Sequence, residues 1–423
     1  MSHYAVVAPP LYSHWQALQA LAQALIDRGH QVTFIHQAEA GALLSDPRIA
    51  FQPVGEDSHP PGSLARTLRL AASPAGMSLF ALIKDMSRAT DMLCRELPRV
   101  LKQLRVDGLI VDQMEAAGGL VAEGMALPFV SVACALPVNR EPGIPLPVMS
   151  FGYGTDQRAQ KLFRTSQRIY DWMMRSHGRV IARHAERFGL APRTGLHECL
   201  SPLAQISQTV PALDFPRHAL PAHFYQVGPL RPTATERRFW PLLSSRPFVF
   251  ASLGTLQGHR FRLFKTIARA CRRLHVQLLI AHCGGLTPNQ EAELEACGAY
   301  WVTDFADQLS VLQQAQAVIT HGGLNTVADA ISSSTPILAV PIAFDQPGVA
   351  SRVVWNGLGR RVSRFASSKT MAKQLTALLQ DKGCHRNMQE AQRQLRQAGG
   401  AQKAADIVEQ ALGSRSERIK ATG

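Results

Sequence analysis

The 423-residue sequence lacks the features that mark several common classes of protein. Its seven cysteines are scattered and form no Cys-x-x-Cys pair, which argues against a disulfide framework and against a zinc site. The loop at residues 9–14 (PPLYSH) has no Gly-x-Gly-x-x-Gly fingerprint, so a dinucleotide-dependent dehydrogenase is disfavoured. No uncharged apolar run is long enough to cross a bilayer, because the longest candidate, residues 118–138, contains Glu123 and Pro128.

The amino terminus lacks the basic start and apolar core of a signal peptide and runs directly into a strand-like segment. Together with the unpaired cysteines, this predicts a protein of the reducing cytoplasm.

The length and charge of the chain indicate a two-domain α/β protein with an anionic partner. A chain of 423 residues exceeds one hydrophobic core, and its apolar content of 46% is that of an ordinary globular protein. Residues 1–230 carry 21 Lys and Arg against 18 Asp and Glu, whereas residues 231–423 carry 24 against 13. Because no recognisable nucleic-acid-binding module accompanies this surplus, we expect a nucleotide or an acidic lipid surface as the partner, and no nucleic acid.

The order of predicted elements indicates parallel sheets. Residues 4–8 are predicted as a buried strand, residues 15–28 as an amphipathic helix that stops at Gly29, and residues 31–36 as the next strand. This β-α-β start places a ligand site at the loop after the first strand. Further strands are predicted at 108–112, 129–133, 248–252, 275–282, 299–303, 317–320 and 336–340, and helices at 64–104 (broken near Pro74 and Pro98), 115–125, 154–190, 324–334 and 401–412.

Composition divides the chain into four parts. Residues 1–229 are predicted as a first domain, and residues 230–247, rich in Pro, Ser and charge, as a linker. Residues 248–400 form a second domain with its own β-α alternation. Residues 401–423 supply a closing helix and a polar tail that frays from Gly413.

The most specific pattern lies between residues 305 and 346. A short buried strand leads into the turn at residues 321–323, and a helix follows directly. Such a turn gathers unpaired backbone N–H groups and the positive end of a helix dipole, and its glycines let a ligand approach closely. The side chains of His321, Asn325 and Thr326 add donors, which predicts a phosphate cradle made without a metal.

This arrangement resembles the nucleotide-sugar signature of the UDP-dependent glycosyltransferases, and the resemblance covers nearly the whole chain. Within that family the sequence is most similar to the branch of zeaxanthin glucosyltransferases from carotenoid-producing bacteria. The resemblance implies an α/β fold of GT-B architecture, in which two Rossmann-like domains face each other across a cleft. It also implies that the first domain binds the acceptor, the second binds the nucleotide sugar, and the closing helix returns to the first.

The catalytic pair implied by the resemblance is His14 with Asp112. Both residues stand at the carboxyl ends of predicted strands. A carboxylate that binds one imidazole nitrogen leaves the other free to act as a general base. The alternative from the residues alone is an exposed loop histidine and a strand-end aspartate that caps a helix. The sequence also has Ser13 where the family commonly has Gly.

The resemblance assigns the UDP-sugar site to thirteen residues of the second half. In this assignment Phe305 replaces a Trp that stacks on uracil, Asp307 replaces a Pro, and Asp329 replaces a Glu at the ribose, one methylene shorter and so within reach through water. Asp345 and Gln346 would bind the sugar hydroxyls, and Gln346 would favour glucose over galactose. No metal cofactor is expected. The residues are Ser252, Gly254, Thr255, Phe305, Gln308, His321, Gly322, Gly323, Asn325, Thr326, Asp329, Asp345 and Gln346.

A basic helical segment at residues 161–187 is a candidate membrane contact. Its Lys and Arg residues recur mostly at spacings of three, four or seven, with aromatic and Met side chains between them. A solvated helix face over an apolar core is the alternative.

The resemblance implies inverting transfer of glucose from UDP-glucose to the hydroxyl groups of zeaxanthin, giving the mono- and diglucoside. Two alternatives stay open from the sequence. The acceptor could be another lipophilic molecule, such as a polyketide, a flavonoid or a lipid, or the chain could bind nucleotide sugars without catalysis.

Overall fold

The computed structural model describes residues 1–232, 240, 242 and 245–421. Within these residues the chain forms two parallel β-sheets flanked by helices, so the predicted α/β architecture of two Rossmann-like domains is confirmed. The strands are β1 (His3–Val7), β2 (Gln31–His36), β3 (Ala50–Pro53), β4 (Gly108–Asp112), β5 (Phe129–Ala133), β6 (Gln205–Ser207), β7 (Phe224–Gln226), β8 (Phe248–Ser252), β9 (Gln277–Ala281), β10 (Trp301–Thr303), β11 (Ala317–Thr320), β12 (Ile337–Ala339) and β13 (Gly359–Arg361).

The helices lie between these strands and at the end of the chain. They are α1 (Tyr12–Ile26), α2 (Ser63–Ala72), α3 (Met77–Leu104), α4 (Ala116–Gly124), α5 (Gln157–Met173), α6 (Arg175–Arg187), α7 (Phe261–Arg273), α8 (Pro288–Cys297), α9 (Gln308–Leu312), α10 (Leu324–Ser332), α11 (Gln346–Trp355), α12 (Ser368–Leu379), α13 (Lys382–Gln397) and α14 (Gly400–Ala421).

Both sheets have the strand order of a doubly wound fold. The first runs β3-β2-β1-β4-β5-β6-β7 and the second β10-β9-β8-β11-β12-β13. The direction of winding therefore reverses between β1 and β4 and again between β8 and β11. The crevice at the carboxyl ends of two such strands is where open α/β sheets bind ligands. Strands β4, β5 and β8 are buried along their whole length, as expected where helices cover both faces.

Some predicted boundaries were wrong. Helix α3 continues through Pro98, where the sequence predicted a break, because the buried residues Leu97 and Leu101 hold that turn against the core. Helix α14 continues past Gly413, since one glycine costs a helix only about 1 kcal/mol. The predicted helix over 154–190 is two helices, α5 and α6. Residues 233–239, 241, 243 and 244 of the predicted linker lie outside the described residues.

A buried ion pair joins the two domains. Arg352 of α11 is 1% exposed, and its Nε donates to Oδ1 of Asp214 in the first domain at 2.6 Å. The same guanidinium lies over the Phe215 ring, 4.3 Å from its centroid. The chain then returns to the first domain, where Asp406 and Glu409 of α14 each accept a hydrogen bond from Arg28.

Replacing Arg352 with Met should lower the free energy of unfolding by about 3–5 kcal/mol, because the buried Asp214 carboxylate would be left with its longer ion pair of 3.8 Å with Arg217. Urea denaturation followed by circular dichroism measures this change. The matched control is Arg393→Met, which breaks an exposed pair with Glu390 and should change stability by less than about 1 kcal/mol. Equal losses in the two variants would contradict the importance of the buried pair.

Candidate active site

His14 and Asp112 meet at the switch point of the first sheet. Helix α1 begins at Tyr12, directly after β1, so His14 lies in its first turn and not in a loop as predicted. Asp112 is the last residue of the neighbouring strand β4 and is fully buried. The two side chains are joined by a hydrogen bond of 2.7 Å between His14 Nδ1 and Asp112 Oδ2. The other carboxylate oxygen accepts the backbone N–H of Met114 at 2.8 Å, which fixes its orientation.

The surroundings of His14 favour its protonated form. Burial acts to lower the pKa of His14, but the Asp112 carboxylate and the charge of Asp345 raise that pKa above its ordinary value. With Nδ1–H donated to Asp112, neutral His14 keeps a lone pair on Nε2. The pair therefore has the form of a general base with a carboxylate that stabilises the imidazolium.

The second sheet carries an uncapped helix terminus at its own switch point. Strand β11 ends at Thr320, Gly322 adopts a φ of +83°, and α10 begins at Leu324. The N-cap residue, Gly323, has no side chain to bond the first N–H groups of α10. These N–H groups and the helix dipole are directed to the cleft, as an anion site requires.

His321 is held against two glycines and stays uncharged. A Cβ atom on Gly254 would lie 2.7 Å from the His321 ring, and one on Gly323 would lie 2.5 Å from it. Burial lowers the pKa of His321 to about 4, so its ring is neutral at physiological pH. A neutral imidazole offers the cradle a hydrogen-bond donor without a titrating charge.

The amide of Asn325 is engaged across the domain boundary. Its Nδ2 donates to the carbonyl of Ser13 at 3.0 Å, and its Oδ1 accepts from Gln208 Nε2 at 3.2 Å. The sequence predicted a phosphate contact for this side chain. The structure instead gives both ends of the amide protein partners in the first domain.

Asp329 is enclosed by protein partners next to the cradle. Gln308 Nε2 donates to its Oδ2 at 2.6 Å, and Arg231 Nε donates to its Oδ1 at 2.8 Å. Thr326 Oγ1 in turn lies 3.4 Å from Oε1 of Gln308. Arg231 was not predicted, because the sequence placed it in the linker, where a charged residue carries no signal of a buried partner.

Asp345 and Gln346 are also partly engaged by backbone groups. Oδ2 of Asp345 accepts the N–H of Leu136 from the first domain at 3.1 Å, and burial raises the pKa of the Asp345 carboxyl. Oε1 of Gln346 accepts the N–H groups of Ile342 and Ala343 at 2.9 and 2.8 Å. The Gln346 side chain is thereby oriented with its NH₂ group free for a ligand.

The remaining predicted residues line the rim of the same cleft. Ser252 is buried at the end of β8, Thr255 is exposed two residues after Leu253, and the Phe305 side chain is exposed. Asp307, in place of the usual Pro, directly precedes α9 and accepts a hydrogen bond from Ser310.

One cleft of about 1720 Å³ gathers the predicted site from both domains. Asp112 lies behind His14, and Gly322 lies within the turn, so neither forms part of the cleft wall. The wall contains the other predicted residues, which are His14, Ser252, Gly254, Thr255, Phe305, Gln308, His321, Gly323, Asn325, Thr326, Asp329, Asp345 and Gln346. On the first-domain side the same cleft is lined by apolar side chains, among them Leu82, Ile83, Met86, Met114, Val138 and Met174, and by charged ones, among them Arg66, Asp85, Arg88, Arg140 and Asp171.

Two groups of metal-type ligands occur among the described residues, and in each the histidine already makes a hydrogen bond within the protein. In the first, the 2.7 Å between His14 Nδ1 and Asp112 Oδ2 is shorter than the separation of about 3.3 Å expected for two ligands of one zinc ion. In the second, Nδ1 of His282 accepts the N–H of Leu286 at 3.1 Å. The neutral ring then carries its proton on Nε2, the atom that faces the carboxylates of Glu291 and Asp304.

Comparison with known structures supports the same architecture. The structure superimposes on the crystal structure of the glycotransferase of kitacinnamycin with a TM-score of 0.76 and 19% identity, covering 97% of this chain and 99% of that one. The calicheamicin glycosyltransferase CalG4 gives a TM-score of 0.75 and 20% identity over 98% of each chain. Identities this low concern the fold alone, and the predicted GT-B architecture is confirmed.

Sequence comparison identifies the family. The chain is 58% identical over 416 residues to the zeaxanthin glucosyltransferase of Pantoea ananas, covering 97% of this chain and 96% of that protein. It is 55% identical over 416 residues to the zeaxanthin glucosyltransferase of Pseudescherichia vulneris, covering 97% and 98%. The profile of the family described as UDP-glucoronosyl and UDP-glucosyl transferase matches residues 4–393. The chain therefore belongs to this family and is a glycosyltransferase that uses a UDP-sugar donor.

Proposed function

We propose that this enzyme transfers glucose from UDP-glucose to the hydroxyl groups of zeaxanthin, with inversion at the anomeric carbon, and modifies both ends of the acceptor in turn. The observation that carries the proposal is the placement of the His14–Asp112 pair and the α10 terminus on one cleft. The identities of 58% and 55% to two zeaxanthin glucosyltransferases support this choice of acceptor and sugar.

In this proposal, His14 activates the acceptor. Its Nε2 takes the proton of the acceptor hydroxyl as the oxygen bonds to the anomeric carbon of glucose. Asp112 holds the ring through Nδ1 and stabilises the imidazolium that forms. The bond between the anomeric carbon and the UDP oxygen breaks at the same time, so one displacement inverts the configuration.

The second domain stabilises the leaving group. Negative charge grows on the diphosphate as the glycosidic oxygen departs. The free N–H groups of α10, its dipole and neutral His321 are fixed before the reaction, so they need little reorganisation to receive this charge. We place UDP against Ser252, Gly254, Thr255, Phe305, Gln308, His321, Gly323, Thr326 and Asp329, with Gly322 shaping the turn behind them, and the sugar against Asp345 and Gln346.

We propose further that transfer needs no metal ion. The cradle neutralises the diphosphate with backbone dipoles, and neither group of metal-type ligands among the described residues includes a residue of the cradle. A non-catalytic role is disfavoured because the pair that would act as base is intact.

We also propose a peripheral position on the cytoplasmic face of the membrane, from which a carotenoid can enter the apolar side of the cleft. Lys161, Arg164 and Arg168 are exposed on one side of α5. Next to them, Leu162, Ile169 and Trp172 expose 46, 54 and 57% of their surface. Basic residues beside apolar ones suit an anionic bilayer surface. No helix among the described residues is long and apolar enough to span a membrane.

The end of α5 brings this surface close to the cleft. Tyr170 and Met174 line the cleft wall, while Trp172 between them points outward and packs under the guanidinium of Arg175, 4.3 Å from the ring centroid. An acceptor taken from the bilayer would therefore enter the cleft that contains His14 beside Tyr170 and Met174.

The acceptor and the base are tested together. With UDP-glucose and zeaxanthin in liposomes, mass spectrometry should detect products heavier by one and by two hexosyl groups. His14→Ala should abolish both products, because no group remains to take the proton, while the Kd for UDP measured by calorimetry changes less than about threefold. His385→Ala on α13, away from the cleft, is the control and should keep full activity. Retained turnover in His14→Ala would reject the base, and unmodified zeaxanthin with the intact enzyme would reject the acceptor.

The pH dependence of kcat/KM should report His14. The base works only when neutral, so activity should fall as the pH drops through the raised pKa of His14. Asp112→Asn removes the carboxylate that raises this pKa, so the acid limb should move to lower pH. The maximal rate should also fall by about 10²- to 10⁴-fold, because the imidazolium loses its partner. An acid limb that stays in place would show that another group is titrating.

Membrane contact should depend on the basic side of α5. The triple change of Lys161, Arg164 and Arg168 to Gln should weaken binding to phosphatidylglycerol vesicles by about 3 kcal/mol, at about 1 kcal/mol for each charge. Vesicle co-sedimentation at fixed salt measures this change. The control removes the same charge from α13 by changing the exposed residues Arg386, Arg393 and Arg396 to Gln. Equal weakening by both triple variants would mean that net charge, and not this surface, drives binding.

A further inference from the structure

We propose that Gln208 is a positioning residue that couples the donor-binding helix α10 to the base His14. This inference rests on the proposed role of His14. Gln208 directly follows β6, is 1% exposed and lies behind the cleft wall, so its side chain does not face the cleft. Any effect of Gln208 on transfer must therefore pass through its protein partners.

The Gln208 amide lies at the centre of a hydrogen-bonded ring around His14. Its Nε2 donates to the carbonyl of Cys134 and to Oδ1 of Asn325, both at 3.2 Å. The Cys134 thiol contacts the carbonyl of His14, with 3.8 Å from Sγ to O, and the Asn325 amide donates to the carbonyl of Ser13 at 3.0 Å. The carbonyls of Ser13 and His14, in the first turn of α1, are therefore held by Asn325 and Cys134. Both of these residues accept a hydrogen bond from the same nitrogen, Nε2 of Gln208.

The other end of the amide connects the ring to the start of the linker. Oε1 of Gln208 accepts the N–H of Leu230 at 2.9 Å, and Arg231 Nη1 lies 3.4 Å from the same oxygen. Arg231 in turn donates through Nη2 to the carbonyl of Asn325 at 3.0 Å and through Nε to Asp329 at 2.8 Å. Asn325 is consequently held at its side chain by the first domain and at its backbone by the start of the linker.

This ring means that the position of α10 determines the position of His14. The bond from Asn325 to Ser13 exists only while the tip of α10 is docked against the first domain. Because Asn325 is the second residue of α10, a diphosphate bound at that tip would fix the same turn that fixes the base. The base would then be fully oriented only when the donor site is in place. A misplacement of the reacting groups by about 1 Å can cost about 10²-fold in rate.

The test compares two variants that break the ring at different points. Gln208→Met and Asn325→Ala should each lower kcat for glucose transfer by about 10- to 100-fold. KM for UDP-glucose and the Kd for UDP should stay within about threefold, because both amides are engaged by protein partners and are not assigned to the proposed nucleotide site. The double variant should be no slower than the slower single variant, since both changes break one relay.

A matched control separates positioning from general stability. Gln205 is a buried glutamine of the same domain whose side-chain partners, Asn139, Ser201 and His223, are all in the first domain. Gln205→Met should lower the melting temperature to a similar extent and leave kcat near that of the unmodified enzyme.

Three results would overturn the coupling. These are a kcat for Gln208→Met equal to that of the Gln205 control, a Kd for UDP that rises in step with the loss of transfer in Asn325→Ala, and full additivity in the double variant. The second result would assign Asn325 to the diphosphate. Failure of the base assignment itself is distinguishable, because it would appear as retained turnover in His14→Ala whatever the result for Gln208.

Discussion

The buried ion pair between Arg352 and Asp214 is the constraint on which the geometry of the cleft depends. A guanidinium that is 1% exposed stays in place only while its carboxylate partner does, because separating the two leaves an uncompensated charge away from water. This contact therefore fixes the two domains relative to each other on one side of their boundary. On the cleft side the contacts are hydrogen bonds and not buried ion pairs, such as those of Asn325 with Ser13 and Gln208 and of Asp345 with Leu136. Because the ion pair is stronger than these hydrogen bonds, it sets the position of the base, His14, relative to the phosphate cradle.

In the proposed reaction the first domain receives a proton, and the second domain stabilises the negative charge of the leaving group. The first holds a histidine whose pKa is raised by carboxylates, so it is suited to receive a proton. The second holds a histidine whose pKa is lowered to about 4 by burial, so it stays neutral beside an anion. Two imidazoles on one cleft thus have opposite properties, because one has a carboxylate neighbour and the other has glycines and backbone.

The sequence predicted those parts of the structure that depend on a few neighbouring residues. The strand, glycine turn and helix around His321 were predictable because periodicity and turn chemistry are encoded within a few residues. The pairing of His14 with Asp112, 98 residues apart, was implied by the family resemblance, and the strand ends alone only predicted that both residues lie at the same edge of a sheet. The partners of Asn325 and Asp329 could not be predicted, because a hydrogen bond between segments far apart in the chain produces no recognisable residue pattern in either segment. Arg231 and Gln208 were missed for that reason.

The anchored carboxamide of Gln346 has a consequence for the choice among sugars. With its oxygen bound to two main-chain N–H groups, this side chain cannot rotate to exchange donor for acceptor. In the proposed complex the Gln346 side chain can therefore only donate hydrogen bonds to the sugar, and the hexose must accept them with an oxygen atom. A deoxy sugar that lacks this oxygen would leave the NH₂ group unsatisfied in a closed site, at a cost of about 1–3 kcal/mol. Discrimination against deoxyhexoses would then come from the fixed main chain at residues 342–343 and not from the shape of the cavity.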